Sequence, residues 1–326
     1  MLGRAWKLAA LGVAWVVAAG ASPALAANAV PPNCDRACLT GIADQYMKAL
    51  AEHTPASAPF GEQVKFTENN VPLVIGDGLW ATITGKSPYE VKFADPLKGE
   101  VGLIGGVEEH GVPGYFLLRL KVKDRKIVEA ETVVNRSPVL PPGSPPPRFP
   151  AKSPLEQWHF PTMLDIVAPA QRVSRERLVD IANGYFSTLQ QNDGKLFTVF
   201  DDECQRAENG GVSAGDPNGA YPAAKLSCAE QFRRGNYRFD SALRDRDFMV
   251  VDEERQLVLT RAFLDHNAVI QDFKLTDGTP AVSSFKTPSS LFALELFKVR
   301  DGKIYRIEVV YVTVPYNMPS AWRTEQ

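Results

Sequence analysis

Two dipeptides in this chain set an acid beside a histidine at the end of an apolar run, Glu109-His110 and Asp265-His266. A histidine can give or take a proton near neutral pH, and a pocket carboxylate can serve as a base. Along a strand neighbouring side chains point to opposite faces, so only one of each pair can enter a given cavity unless a bulge intervenes. Glycines surround Glu109-His110 and suggest a turn there, which leaves Asp265 and His266 as the better candidates for acid or base. Arg206 and Glu208, two residues apart, fall on one strand face. A buried arginine needs a partner, and Glu208 or Asp265 could supply it. The pair could grip a polyol or anionic substrate, or it could be a plain structural ion pair, with Asn209 beside it and Arg233, after Phe232, bordering the same space. Tyr185 could donate a hydrogen bond to a substrate, although most such tyrosines are core residues with a satisfied hydroxyl. A second candidate pocket would hold Tyr46, Glu68 and Trp80 with Glu109 and His110, and Trp80 and Phe232 would form walls.

The elements that must position these residues occur twice. Ile42-Ala43-Asp44-Gln45-Tyr46 and Ile181-Ala182-Asn183-Gly184-Tyr185 each open an amphipathic helix, the second with Ser174 as N-cap and Glu176 in its first turn. Val64 to Asn69 and Cys204 to Asn209 then read as matching strands, which sets Phe66 against Arg206 and Glu68 against Glu208. Phe66 is expected to face the core, so Arg206 should face inward too. The run Val101 to His110 aligns with Leu257 to His266. Both halves close on a hairpin, turning at Asp124-Arg125 and at Asp301-Gly302. The second half carries extra length near Gly210 to Lys225 and around Gln271 to Pro288.

Taken together the pattern predicts an α+β protein that builds the same fold twice, one copy after the other. The boundaries are 34–136 and 173–322, joined by a Pro-rich connector, 137–172. Trp158, His159, Phe160 and Met163 are too apolar for a free linker and should pack on one domain or across both. Residues 1–26 read as a signal peptide: Arg4 and Lys7, an apolar stretch from Leu8 to Ala21, then Ala24-Leu25-Ala26. A retained anchor is the alternative, but the apolar run is short for a span. A secreted or periplasmic location follows, with no membrane association after cleavage. Four cysteines suit that compartment and fall into local pairs, Cys34 with Cys38 and Cys204 with Cys228, other pairings being left open.

Composition narrows the function classes. The 326 residues are 44% hydrophobic and 23% charged, with a net charge of −2, so there is no basic field to hold nucleic acid. No phosphate-binding loop, dinucleotide fingerprint, Gly-x-Ser-x-Gly elbow or His-Glu-x-x-His occurs, and the four histidines are scattered. No metal and no cofactor are expected.

The opening helices at Ile42 and Ile181 and the closing hairpins at Asp124 to Ile127 and Asp301 to Ile304 resemble the nuclear-transport-factor-2-like (SnoaL-like) superfamily. More narrowly, Cys34-Asp35-Arg36-Ala37-Cys38-Leu39, Gly76-Asp77-Gly78-Leu79-Trp80, Ala207-Glu208-Asn209-Gly210 and Val251-Asp252-Glu253-Glu254-Arg255 are similar to a group of secreted fungal and bacterial proteins. The resemblance implies two tandem cone-shaped α+β domains, each with N-terminal helices packed in a curved antiparallel sheet and a pocket at the open end. It also implies a choice between enzymes such as ketosteroid isomerase, scytalone dehydratase, limonene epoxide hydrolase and polyketide cyclases, and members that only bind or dimerise. Fold alone does not choose between them. The expected function is proton transfer on a small organic or sugar-derived substrate without a cofactor, as in isomerisation, dehydration or hydrolysis. The alternative is a secreted small-molecule-binding or interaction protein. Two cones in one chain could cover each other's sheet faces, so a monomer is expected.

Overall fold

The computed structural model describes residues 33–136, 151–219 and 221–323. The signal-peptide segment 1–26 and the proline-dense 137–150 lie outside the described residues. The protein is α+β, with short helices against large mixed sheets.

Helix α1 (Arg36–Ala51) starts where Asp35 caps it, its carboxylate accepting from the Cys38 amide, and the Cys34–Cys38 disulfide ties the same turn. Its buried stripe, Leu39, Ile42, Tyr46, Met47 and Leu50, lies on a seven-stranded sheet. That sheet comprises β1 (Phe60–Glu68), β2 (Val71–Pro72), β3 (Ile83–Lys86), β4 (Val91–Asp95), β5 (Glu100–Glu109), β6 (Val112–Lys123) and β7 (Lys126–Arg136). A one-turn helix, α2 (Leu79–Thr82), sits between β2 and β3. Helix α3 (Arg175–Gln191), capped by Ser174, lies likewise on the second sheet. Its strands are β8 (Phe200–Glu208), β9 (Gly211–Ala214), β10 (Ala242–Asp252) and β11 (Leu257–His266), then β14 (Ser289–Arg300) and β15 (Lys303–Val314). Two further elements belong to the insertions: helix α4 (Cys228–Arg233) and a separate hairpin, β12 (Asp272–Lys274) with β13 (Pro280–Val282).

The sheets share one strand order. β1-β7-β6-β5 in the first matches β8-β15-β14-β11 in the second, and in both the early strand runs parallel to the last one. The closing turns are alike too, Asp124-Arg125 and Asp301-Gly302 all having positive φ as a two-residue hairpin loop requires. These ladders correct one alignment. Leu120 faces Val101 across the first sheet while its counterpart Phe297 faces Val258, so Val101 matches Val258, not Leu257. The slip is one residue, and in a strand one residue exchanges the faces. Glu109 therefore matches His266, and His110 falls outside the strand in an exposed turn at φ 49°. Matching acid-His letters had overridden the alternation that sets the register.

Each sheet buries one face against its helix and the other against the opposite sheet. Phe93, Ile104, Leu117 and Val133 of the first meet Leu259, Phe263, Leu294 and Val310 of the second in a single core. The segment beyond the connector packs across both sheets. Trp158 stands edge-on to Tyr115 (5.2 Å), the Phe160 amide donates to Glu308 (2.6 Å), and a Cβ on Gly106 would strike the Pro154 carbonyl oxygen at 1.8 Å.

Reciprocal ion pairs lock the two sheets. Arg36, first residue of α1, donates to both oxygens of Asp252 (2.7 and 2.6 Å), which also accepts from the Ala94 amide (3.1 Å). Arg175, first residue of α3, forks onto Asp95, which accepts from the Val251 amide (3.1 Å). Both carboxylates are buried. Removing one partner of such a pair leaves a charge without a counter-ion. Asp252→Ala is expected to cost about 3 kcal/mol, read as a lower urea midpoint, and an unchanged midpoint would show that the bridge is ornamental.

Candidate functional site

Strand alternation decides which side chains of the second sheet face its helix. Leu257, Leu259 and Phe263 of β11 and Phe292, Leu294 and Leu296 of β14 go to the core between the sheets. The intervening set, including Leu264, His266, Leu291, Ala293 and Glu295, lines a cavity of about 380 Å³ beside α3. That size lies within the range of small-molecule sites. Tyr185, Arg206, Glu208, Tyr237 and Asp240 complete its polar lining, and Leu189, Phe239, Phe273 and Phe285 much of its apolar wall.

Arg206 is buried at the floor. Its Nε contacts Glu208 (2.8 Å) and Ser213 (3.0 Å), and its Nη2 donates to Gln231 (2.8 Å) and to the Tyr237 hydroxyl. Burial opposes its charge, but the Tyr237, Tyr185 and Glu208 oxygens around it raise its pKa well above the ordinary value. The partner Gln231 comes from α4, which the Cys204–Cys228 disulfide pins to β8. That bridge spans 24 residues, so its chain-entropy contribution is on the order of 3 kcal/mol.

Glu295 lies in the same cavity and was not singled out from the sequence. Its signal was present: the closing hairpins align it with Leu118, a carboxyl in an apolar register, as Arg206 stands where the first half has Phe66. Burial pushes its pKa up to about 8, against the pull of Arg206 and of the Tyr185 hydroxyl that hydrogen-bonds it, with Glu208 adding to the rise. A carboxylic acid in this state is protonated at neutral pH and can donate. Burial likewise raises Tyr185 well above its ordinary value.

His266 stands at another side of the cavity. Its Nε2 lies 2.9 Å from Asp240 Oδ1, both side chains being buried, and its ring stacks on Phe285 with centroids 3.4 Å apart. Its Nδ1 is buried with no hydrogen-bond partner among the described residues. Burial raises the Asp240 pKa, which the His266 contact partly offsets. Asp240 and Tyr237 lie between α4 and β10, outside the segments that align between the halves, so the comparison of the halves gave no signal for them.

The structure thus brings together Tyr185, Arg206, Glu208 and His266. It does not bring the others. Asp265 is turned to the opposite face, where Arg244 (2.7 Å) and Ser290 (2.5 Å) hold it, because it is the neighbour of His266 on a regular strand. Asn209 closes the β8–β9 turn at φ 43° and exchanges hydrogen bonds with Tyr311. Asn69 does the same with Val134 in the first half, so the asparagine is a turn clamp. Arg233 is exposed and lines a separate outer depression with Asp201 and Asp202. In the first half, Trp80 packs edge-on against Tyr46 at 5.1 Å and spends its Nε1 on the Tyr46 hydroxyl (3.2 Å). Glu68 accepts from the Leu79 amide (2.8 Å) and from Arg136 (2.9 Å), and Glu109 pairs with Arg136 (2.6 Å). These residues tie α2 and Arg136 to the sheet. Among the described residues no three acid, His or Cys side chains converge as metal ligands would.

A family model described as "Domain of unknown function (DUF8021)" matches residues 171–311, the part of the chain that carries the cavity. No curated protein matches. Solved structures with similarity include AusH from Aspergillus nidulans, 10% identical over 43% of this chain and 86% of that one, with a TM-score of 0.28. An NTF-2 like protein of unknown function from Burkholderia xenovorans LB400 is 10% identical over 33% and 89%, at 0.23. A de novo designed protein with a curved β-sheet is 14% identical over 31% and 88%, at 0.27.

Glu295 gives the stability a sign. The unfolded chain ionises this group near 4.5, the native state only near 8. Between those values the native state keeps a proton that the unfolded chain releases, so stability falls as pH rises through that window. Glu295→Gln cannot ionise and escapes the loss. Relative to wild type, the variant is expected to gain roughly 3–5 kcal/mol between pH 4.5 and pH 9 in urea unfolding. A difference that stays flat with pH would mean that Glu295 is ionised at neutrality.

Proposed function

We propose that the cavity of the second half binds a small organic molecule and moves a proton on it without a cofactor. The observation that carries this reading is the convergence, in one cavity, of a buried carboxyl, Glu295, and a histidine, His266, held 2.9 Å from the Asp240 carboxylate. In this reading the Tyr185 hydroxyl supports Glu295, whose own proton polarises a carbonyl or hydroxyl oxygen of the ligand or passes to it. Asp240 engages Nε2 of His266 and leaves Nδ1 as the atom that takes a proton from the ligand. Arg206 and Glu208 form the charged floor. Isomerisation, dehydration and addition of water all fit that arrangement. A hydroxylated or carbonyl-bearing ligand, including a sugar-derived one, would use the polar floor.

The shared strand order and the reciprocal Arg–Asp pairs support reading the chain as two tandem cones of the nuclear-transport-factor-2-like type, the first a structural partner for the second. The two disulfides favour an exported protein, and no described helix is long and apolar enough to cross a membrane. Sheet faces that cover each other support a monomer. A binding protein without chemistry is the second reading, favoured by Arg206, whose Nε and Nη2 are already engaged within the protein.

Deuterium reports proton transfer whatever the net reaction. Wild-type protein in D2O with a small-molecule extract is expected to place deuterium in at least one compound, seen by mass spectrometry. His266→Ala should slow that incorporation by about 100-fold or more. Equal incorporation by the variant would remove His266 from the chemistry. None from the wild type would leave the binding reading.

A further inference from the structure

The segment between β11 and β14 does something that the site above does not require of it. Its two short strands, β12 and β13, pair with each other and with no strand of either main sheet. An isolated hairpin of this kind is marginally stable in water. Its side chains alternate: Asp272 and Lys274 face solvent, while Phe273, Leu275, Ala281 and Phe285 line the cavity. From Asn267 to Pro288 only Ser283 is buried.

Few bonds hold it. At the tip, the Thr276 amide and hydroxyl donate to the carbonyls of Arg234 (3.0 Å) and Arg233 (2.7 Å) at the end of α4. At the base, the strands close on themselves, the Ser283 amide donating to the Gln271 carbonyl (2.7 Å) and the Gln271 side chain to the carbonyls of Ala268 and Phe285. The Asn267 amide donates to the Ser241 hydroxyl (3.2 Å), and aromatic contacts add to these bonds. Phe273 meets Phe239 at 6.1 Å, and Phe285 lies flat on His266 at an interplanar angle of 11°.

We propose that the hairpin β12–β13 is a hinged roof that selects an uncharged ligand with one apolar face, and that Phe285 covers His266 where that face will lie. The inference rests on the cavity being a ligand site. The roof is apolar and the floor polar, so a ligand sorted by both has a hydrogen-bonding group below and a hydrocarbon face above. The charged lining groups are already paired, Arg206 with Glu208 and His266 with Asp240. An anionic ligand would meet Glu208 and Asp240 beneath an apolar cover, and burying such a charge without a partner is costly. Entry requires the Thr276 tether to release and Phe285 to leave the imidazole. Phe285 is thus a positioning residue for His266.

Two phenyl probes of like shape test this on the full chain, uncharged 4-tert-butylphenol and anionic 4-tert-butylbenzoate. Hydrogen exchange is expected to be at least about 100-fold faster in amides 272–282 than in β11 and β14, since the roof opens locally while the sheet does not. The phenol should slow those amides by about 10-fold, and the benzoate should bind at least about 10-fold more weakly. Thr276→Val removes a tether outside the cavity and should raise the phenol association rate several-fold, leaving the melting temperature unchanged, which a merely structural threonine would not do. Hairpin amides as protected as β11, an unchanged association rate in Thr276→Val, equal binding of the two probes, or no binding of the phenol would each overturn the roof. Phenol binding with no deuterium transfer in the extract experiment would leave the roof standing and remove the proton-transfer reading.

Discussion

The constraint on which the rest depends is that two sheets each have an apolar face left over after packing on a helix. A sheet buried on one side by α1 or α3 still carries Phe93, Ile104 and Leu117, or Leu259, Phe263 and Leu294, on the other. Exposed patches of that size do not persist in water, so each sheet covers the other. The charged groups that cross this contact meet as ion pairs. Arg36 with Asp252 and Arg175 with Asp95 are related as i-to-j and j-to-i, the pattern of an isologous interface drawn into one chain. Arg261 with Glu131 (2.9 Å) spans the same contact and is buried as well.

The contact also fixes the site. Along β14, Phe292, Leu294 and Leu296 are committed to the shared core, so Ala293 and Glu295 have no choice but the cavity face. On β11 the same rule sends Phe263 outward and His266 inward, and it takes Asp265 away from the chemistry it was first suspected of. Packing between the sheets therefore sets the register that places an acid and a histidine in one space. A slip of one residue would exchange Glu295 for Leu294 or Leu296 and dry the cavity.

Much of the architecture was legible in the chain because the two halves check each other. Opening helices and closing hairpins recur in the same order, and those are the elements whose local signals are strongest: caps, an amphipathic stripe, a two-residue turn. Tyr185 and Glu208 match Tyr46 and Glu68, while other parts of the site were legible where the halves differ at an aligned position. Arg206 over Phe66 was visible this way, and Glu295 over Leu118 was equally visible but passed over. The acid-His pairs misled because letters matched where the ladder did not. Asn209 misled for the opposite reason. Its recurrence as Asn69 marks a turn that both halves need, not a ligand contact that one of them makes. Tyr237, Asp240 and Phe285 stood outside any such comparison, since they lie outside the segments that align.

That difference explains how one half can carry a wet interior at all. Desolvating Arg206, Glu295, Asp240 and His266 works against folding, and in the first half the corresponding space holds Trp80 against Tyr46 instead. A single small cone with so polar a cavity would have little apolar burial to set against the cost. Here β10, β11, β14 and β15 of the second sheet are backed by the first, and the disulfide at Cys204 fixes the strand that carries Arg206. The first half thus supplies the backing on which the cavity-bearing sheet packs. Its dry core and its covering sheet hold β14 and β11 in place, and the second half is free to keep charges inside.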